Sequence, residues 1–525
     1  MSDMFETKTD KASRKLERTK KEEKARRKTR TIAITIIVVL VLVSAAAILV
    51  NSSFIRRTLP VVTIDGVDFT TTEFEFFFNS ELMEYNNMMA QFQGMGIEMP
   101  DPGRPLSSQI RDEESGETWA DIITEMAFTR MTNIVSLYNA AKAAGFELPY
   151  ENYEEIENDI SMIAVQAMMS GFPTTDSFLQ QMFGNSINES TYREILEFSM
   201  LAASYGEYVR ESFSYSAQEI TGYYEENKDD LDVFSFRLMY INPEVLNYDD
   251  FASDEAYEEA LETATADAHE RAAHIMTGGI ESAEDFIAAA QEESGNTADW
   301  IAEVQFRMGE NLDDVFRDWL MDEERIYGDI AAFDNDTGST IIYFVARDDN
   351  SYQTVGMKQI LIIREQVDPE EFPLGEDDMG YIRAVENAEA QARERADTVY
   401  SLFDSAGRSV NALNDLIDDF SDDNTEGGEY SEIAKFSYQS SHFQAMKVVP
   451  EIEEWLFDES RVVGDSEMIR TEAFGYHLIY FTGFDAVFSE LIADDRMRTR
   501  DHTEWLDGLT VGEPRKHFAF ILVHT

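Results

Sequence analysis

The chain has no cysteine in 525 residues. That excludes disulfides, thiolate catalysis, cysteine-ligated zinc and a lipid anchor on an N-terminal cysteine. Histidine is scarce: the seven residues 269, 274, 442, 477, 502, 517 and 524 show no H-E-x-x-H or comparable ligand spacing. Asp418-Asp419 and Asp422-Asp423 invite a calcium reading, but the EF-hand spacing is missing, and a solvated acidic loop fits better. No cofactor and no metal are expected. Lysine nearly vanishes after residue 57, with six from there to the end. Over 58–525 there are 28 Lys and Arg against 97 Asp and Glu. Such a surface repels nucleic acid and anionic headgroups. It suits solvation above all, and secondarily a salty exterior, divalent cations or cationic segments.

Apolar residues make up 43% and aromatic residues 12% of the chain, enough for packed cores in three or four domains despite the charge. The first 31 residues are the opposite of the rest: 12 basic against 6 acidic. They precede an uncharged apolar run, Ile32 to Val50. At about 1.5 Å per residue this run would cover roughly 28 Å, a bilayer core. Basic clusters on its N-terminal side would place residues 1–31 in the cytoplasm and the rest outside, as a single-pass cell-membrane protein. A cleaved signal peptide is the competing reading.

Beyond the link at 57–60, Val61–Ile64 has a strand pattern and Asp65-Gly66 a turn pattern. Thr70 and Glu73 have capping-box spacing, and Phe69 and Phe74 have staple spacing, so a helix should start at Thr71. Residues 97–116 hold three prolines and form a loop. Helical patterns follow near 118–144, 151–170, 175–183 and 189–212, and Ser216 with Glu219 opens another. The Met and aromatic residues of this bundle read as core, and methionine also packs adaptably against varied apolar partners.

An internal repeat follows. Trp319-Leu320-Met321-Asp322-Glu323-Glu324-Arg325 through Gly328-Asp329 matches Trp455-Leu456-Phe457-Asp458-Glu459-Ser460-Arg461 through Gly464-Asp465 at an offset of 136. Gly338–Phe344 matches Gly475–Phe481 at 137. Each copy opens with a strand-like run, 236–241 and 357–362, and holds helical patterns near 254–276 and 381–404. Each is therefore an α+β unit of about 120 residues. A helical pattern near 490–508 and the apolar run Phe518–Val523, which should pair with a sheet, complete the chain.

This order of parts resembles the SurA/PrsA family of extracytoplasmic foldases, over roughly 60–525. Val62-Thr63-Ile64-Asp65-Gly66 with its capped helix is similar to the family's N-terminal chaperone module, and Tyr223–Asn227 to the helix leading into its parvulin-type prolyl isomerase domain. In the second repeat, Phe420–Asp423, Gly427-Gly428-Glu429, Val449–Phe457 and Gly475–Ile479 resemble the parvulin serine-aspartate segment, glycine pair, pocket helix and final strand. Charge and hydropathy give a basic tail (1–31) and a transmembrane helix (32–50); the resemblance implies a helical chaperone-like module (58–232), a degenerate parvulin-like domain (233–349), a parvulin-like domain (354–484) and a C-terminal helix and strand (485–525). Packing of that last part on the helical module is left open.

By the same resemblance, Asp423, Gln359 and His477 would form the polar floor of an isomerase site, and Met446, Ile452 and Phe457 would line the proline pocket. Gln359 departs from the family's usual histidine. In the first repeat Leu238 and Thr340 stand where two histidines would be, with Glu293 the nearest acidic equivalent, so that copy reads as structural or client-binding. His477 reads equally as a hydrogen-bonded core histidine and Asp423 as a loop-capping carboxylate. Three functions remain open: a prolyl isomerase acting on newly exported polypeptides, a non-catalytic holdase on parvulin scaffolds, and a structural or adhesive surface protein.

Overall fold

The structure is a computed structural model that describes residues 35–41, 53–90, 99–112, 115–248, 251–298, 301–423, 425–436, 448–517 and 520. No helix among the described residues is long and apolar enough to cross a membrane. Of the expected span at 32–50 only 35–41 is described, as helix. Seven helical residues reach about 10 Å, a third of a hydrocarbon core. The remainder of that segment and the basic tail lie outside the described residues. The transmembrane helix and the single-pass membrane location expected from the sequence are therefore not supported. What stands is an α+β chain with three small sheets among the described residues.

The chain divides into two compact units, Met1–Phe213 with Arg500–Thr525, and Ser214–Thr499. In the first, helix α1 (Ser53–Thr58) leads into the hairpin β1 (Pro60–Ile64) and β2 (Val67–Thr70). Helix α2 (Thr71–Ala90) starts at the capping box: the Glu73 carboxylate accepts the Thr70 N–H at 2.7 Å, and Thr70 Oγ1 accepts the Glu73 N–H at 3.3 Å. Helices α3 (Trp119–Ala144), α4 (Tyr150–Met169), α5 (Thr175–Phe183) and α6 (Glu189–Ser212) follow. Phe69, Phe74, Phe128, Ile156 and Leu179 from these elements share one core. The chain's end returns to it. Strand β11 (Arg515–Lys516) pairs antiparallel with β1, Val62 opposite Lys516. Of the expected terminal strand at 518–523 only Phe520 is described, and its ring packs in the core, 5.0 Å from Phe74 and 5.8 Å from Phe128 between ring centres. Residues 518–519 and 521–525 lie outside the described residues.

The second unit opens with α7 (Ala217–Leu231), capped by Ser216 and Glu219 as their spacing predicts. Two four-stranded antiparallel sheets follow. The first has the order β4 (Val304–Met308), β3 (Val233–Ile241), β6 (Gly338–Asp348), β5 (Ile330–Asn335), with helices α8 (Asp254–Thr277), α9 (Ala283–Ser294) and α10 (Arg317–Met321). After β7 (Gln353–Ile363) come α11 (Met379–Ser405), α12 (Val410–Phe420), β8 (Glu429–Ile433), α13 (Pro450–Leu456), β9 (Ser466–Arg470), β10 (Gly475–Val487) and α14 (Phe488–Asp507). The second sheet has the order β8-β7-β10-β9.

The repeated Trp-Leu…Gly-Asp segment is scaffold in both copies. Arg325 stacks over Trp319 at 4.6 Å and pairs with Asp329; Arg461 stacks over Trp455 at 3.7 Å and pairs with Asp465. The Gly328 and Gly464 N–H groups donate to the carbonyls of Phe344 and Phe481, whose own N–H groups return bonds to Asp329 and Asp465. The repeat therefore locks a turn onto the last strand of each sheet.

Candidate functional site

In the second sheet, alternation sends Ile360, Ile362 and Leu478 to the face covered by α11 and α12. It sends Met357, Ile479 and Phe481 to the opposite face, where Ile452 and Leu456 of α13 cover them. Gln359 on β7 and His477 on β10 lie farther along this second face, 5% and 4% exposed. Two polar side chains so deep must satisfy one another, and they do.

The bonds form one directed chain. His477 Nδ1 lies 2.9 Å from Gln359 Oε1, which can only accept, so the ring carries its proton on Nδ1. Its Nε2 then accepts from the Thr471 hydroxyl at 3.0 Å. The Gln359 amide nitrogen donates to Asp423 Oδ2 at 2.8 Å and to the Tyr430 hydroxyl at 2.9 Å. Tyr430 donates in turn to Asp423 Oδ2 at 2.6 Å, and the Thr425 N–H to Asp423 Oδ1 at 3.0 Å. Reversing the Gln359 amide would set its oxygen against the carboxylate, so Asp423 fixes the amide, and the amide fixes the imidazole tautomer.

Local sequence explains how Asp423 reaches this point. After α12, Ser421 Oγ accepts the Leu361 N–H, the Asp422 N–H donates to the Leu361 carbonyl, and the Asp422 carboxylate accepts the Ile363 N–H. The segment is thus stitched along the edge of β7. The glycine pair then turns the chain into β8. A Cβ on Gly428, whose φ is +56°, would sit 2.4 Å from the Gln359 carbonyl oxygen, so only glycine fits.

Burial is the largest influence on Asp423 and raises its carboxyl. The bonds from Tyr430, the Thr425 N–H and Gln359 together outweigh it and hold the carboxyl below its ordinary value. Burial pushes the His477 imidazole down to about 4 against the pull of Asp423 and Glu451, so the ring is neutral. Tyr430 is raised by burial and by its carboxylate partner. Of the chain, Asp423 is half-buried while His477 and Gln359 are closed off.

Of the residues expected from the sequence, the structure thus brings Asp423, Gln359 and His477 together. Of the three residues expected to line a proline pocket, two are described. Ile452, 2% exposed, is core between α13 and the sheet. Phe457 stands edge-on to Tyr352, 5.7 Å between ring centres, with the Lys435 ammonium over both rings. Met446 lies outside the described residues. Tyr430 and Thr471 were missed. Their only signal was a tyrosine just past a glycine pair and a threonine six residues before the histidine, and neither spacing implies a contact across strands.

The first sheet lacks this chain. Leu238 and Thr340, at the registers of Gln359 and His477, are buried, and Leu238 packs with Phe234, Phe236, Ile342 and Phe316. Glu293 instead pairs with Arg271 at 3.1 Å.

No protein-family profile matches the chain, and no curated protein matches it. Among solved structures, the crystal structure of PrsA from Bacillus subtilis matches with 13% identity and a TM-score of 0.15, covering 55% of this chain and 93% of that one.

Proposed function

We propose that this chain is a folding factor that binds non-native polypeptides, and that its second repeat is a peptidyl-prolyl cis–trans isomerase. The observation that carries the reading is the hydrogen-bonded chain Asp423–Gln359–His477–Thr471, present on one sheet face of the second repeat and replaced by hydrocarbon around Leu238 in the first. The family resemblance of the parvulin-like segments supports it.

The barrier to prolyl rotation, about 18–20 kcal/mol, is amide resonance, which places negative charge on the carbonyl oxygen of the planar forms. A carboxylate beside that oxygen raises the planar forms more than the twisted one, whose oxygen is less charged. Asp423 is held ionised and rigid for this role by Tyr430, Gln359 and the Thr425 N–H. No covalent step and no proton transfer is required. A thousandfold acceleration needs only about 4 kcal/mol of differential stabilisation.

The test is cis-to-trans isomerisation of short Xaa-Pro peptides by the full chain, beside suppression of aggregation of an unrelated heat-unfolded enzyme. The expected result is acceleration abolished by Asp423→Asn, with suppression kept. Absence of acceleration from a folded chain overturns the isomerase reading.

A second reading has its own observation. Every polar side-chain atom of Gln359 and His477 has an internal partner and both side chains are buried, so neither is open to a substrate. In this reading the domain is a retained scaffold, and the chain suppresses aggregation without isomerising.

A further inference from the structure

Helix α4 divides its two faces cleanly. Ile156, Ile160 and Ala167 are buried in its inner stripe. At about 100° per residue, Glu151, Glu154, Glu155, Met162, Val165 and Met169 all project from the opposite half. That outer face is itself divided along the axis. Its first half is exposed carboxylate, and the 20-residue helix contains no Lys or Arg. Its second half is exposed hydrocarbon: Met162 is 65%, Val165 52%, Met168 71% and Met169 81% exposed.

Four large apolar side chains left in water on one helix end mark a contact surface, because their burial is the favourable step withheld. Methionine suits a surface that must adapt to differing partners. The adjoining carboxylates decide the partner's charge. A second copy of this chain would bring the same acidic face and a net charge of −61, and would be repelled. We infer that the outer face of α4 docks polypeptide segments in which apolar side chains adjoin lysine or arginine, the apolar part on Met162, Val165, Met168 and Met169 and the cationic part on Glu151, Glu154 and Glu155. The inference rests on the polypeptide-binding function proposed above and names the class of segment selected.

The test uses the full chain and a labelled peptide of about 18 residues with a leucine stripe at helical spacing and lysines at one end. Its control carries glutamates in place of the lysines. Fluorescence anisotropy should show the lysine peptide binding about tenfold more tightly than its control, with the preference falling as salt rises. Met162→Ser with Met169→Ser, and separately Glu154→Gln with Glu155→Gln, should each weaken it about tenfold. All four positions are exposed, and unchanged circular dichroism would show that the fold is kept. Unchanged binding by both variants, or equal binding of the two peptides, overturns the inference. So does self-association abolished by the serine pair, which would assign the face to a second copy. Aggregation suppression by the same proteins separates the two proposals. Suppression with α4-independent peptide binding sinks only the docking face. α4-dependent binding without suppression or isomerisation supports the face and sinks the folding role.

Discussion

His477 donates its Nδ1 proton to the amide oxygen of Gln359 across 2.9 Å, and the tautomer of the one is set by the orientation of the other. Because the same amide donates to Asp423, a carboxylate on a loop dictates which nitrogen of a strand histidine is protonated. Glutamine performs this relay without titrating, so the chain keeps its polarity over the whole range in which a histidine at 359 would change charge.

Gln359→Leu should therefore cost more than its own bonds. It leaves the His477 Nδ1–H buried without an acceptor and takes one donor from Asp423. An orphaned buried polar group costs about 1–3 kcal/mol. Urea unfolding should register a loss of that order, and the proposed isomerisation should fall with it. Gln359→Glu tests direction instead. Its carboxylate would face Asp423, and the shared repulsion raises a folded-state carboxyl pKa above the unfolded one. Stability lent by the bound proton would be present at low pH and lost as pH rises through the raised value. A variant no less stable at pH 8 than at pH 5, relative to wild type, would contradict the geometry.

His477 gives a pH dependence of opposite sign. Its pKa is about 4 in the fold against 6.5 as the reference value. The unfolded chain binds the proton first, so stability is full above about 6.5 and is lost as pH falls toward 4. Each pH unit in that window changes stability by at most about 1.4 kcal/mol for one proton. The difference in urea midpoint between wild type and His477→Gln should narrow as the pH is lowered from 7 to 5. Imidazole resonances of His477 that titrate near 6.5 would refute its burial in a neutral state.

Much of this architecture was legible because it rests on short-range chemistry. Thr70 with Glu73 and Ser216 with Glu219 cap helices where their spacing said they would, and alternation along β10 placed His477, Ile479 and Phe481 on one face. The repeat at Trp319 and Trp455 was equally plain, yet it encodes an Arg–Trp stack and a turn rather than a site, since packing geometry repeats more faithfully than chemistry. Long-range partners were not legible. Nothing near Tyr430 in sequence announces that its hydroxyl meets Asp423 and Gln359. The contacts of Ile452 with Met357, and of Phe457 with Tyr352, likewise join residues far apart in sequence.

Tyr430→Phe separates electrostatic tuning from packing. Only a hydroxyl is removed, and with it the strongest bond holding Asp423 ionised. Losing a bond to the charged form raises a carboxyl pKa. If Asp423 acts as a carboxylate, the acid limb of the isomerisation profile should move to higher pH while the rate on the plateau above it changes little. An unshifted acid limb would remove Asp423 from the titrating role.

Phe520→Ala probes the other unit. The ring packs on Phe74 and Phe128 at 5.0 and 5.8 Å, and the Lys516 ammonium lies 4.7 Å over Phe128. The strand pair beneath it is short: β11 offers two residues, and Thr63 Oγ1 meets His517 Nε2 at 2.7 Å. So brief a strand offers little ladder, and the buried ring adds apolar attachment for the chain end. Truncating a buried phenylalanine costs about 3–5 kcal/mol. Because the core around Phe74 belongs to Met1–Phe213 with Arg500–Thr525, calorimetry should show the transition of that unit lowered while the isomerisation proposed for the second repeat is retained at 25 °C. Loss of isomerisation in a chain whose second unit still melts normally would show that the terminal segment serves the site as well as the core.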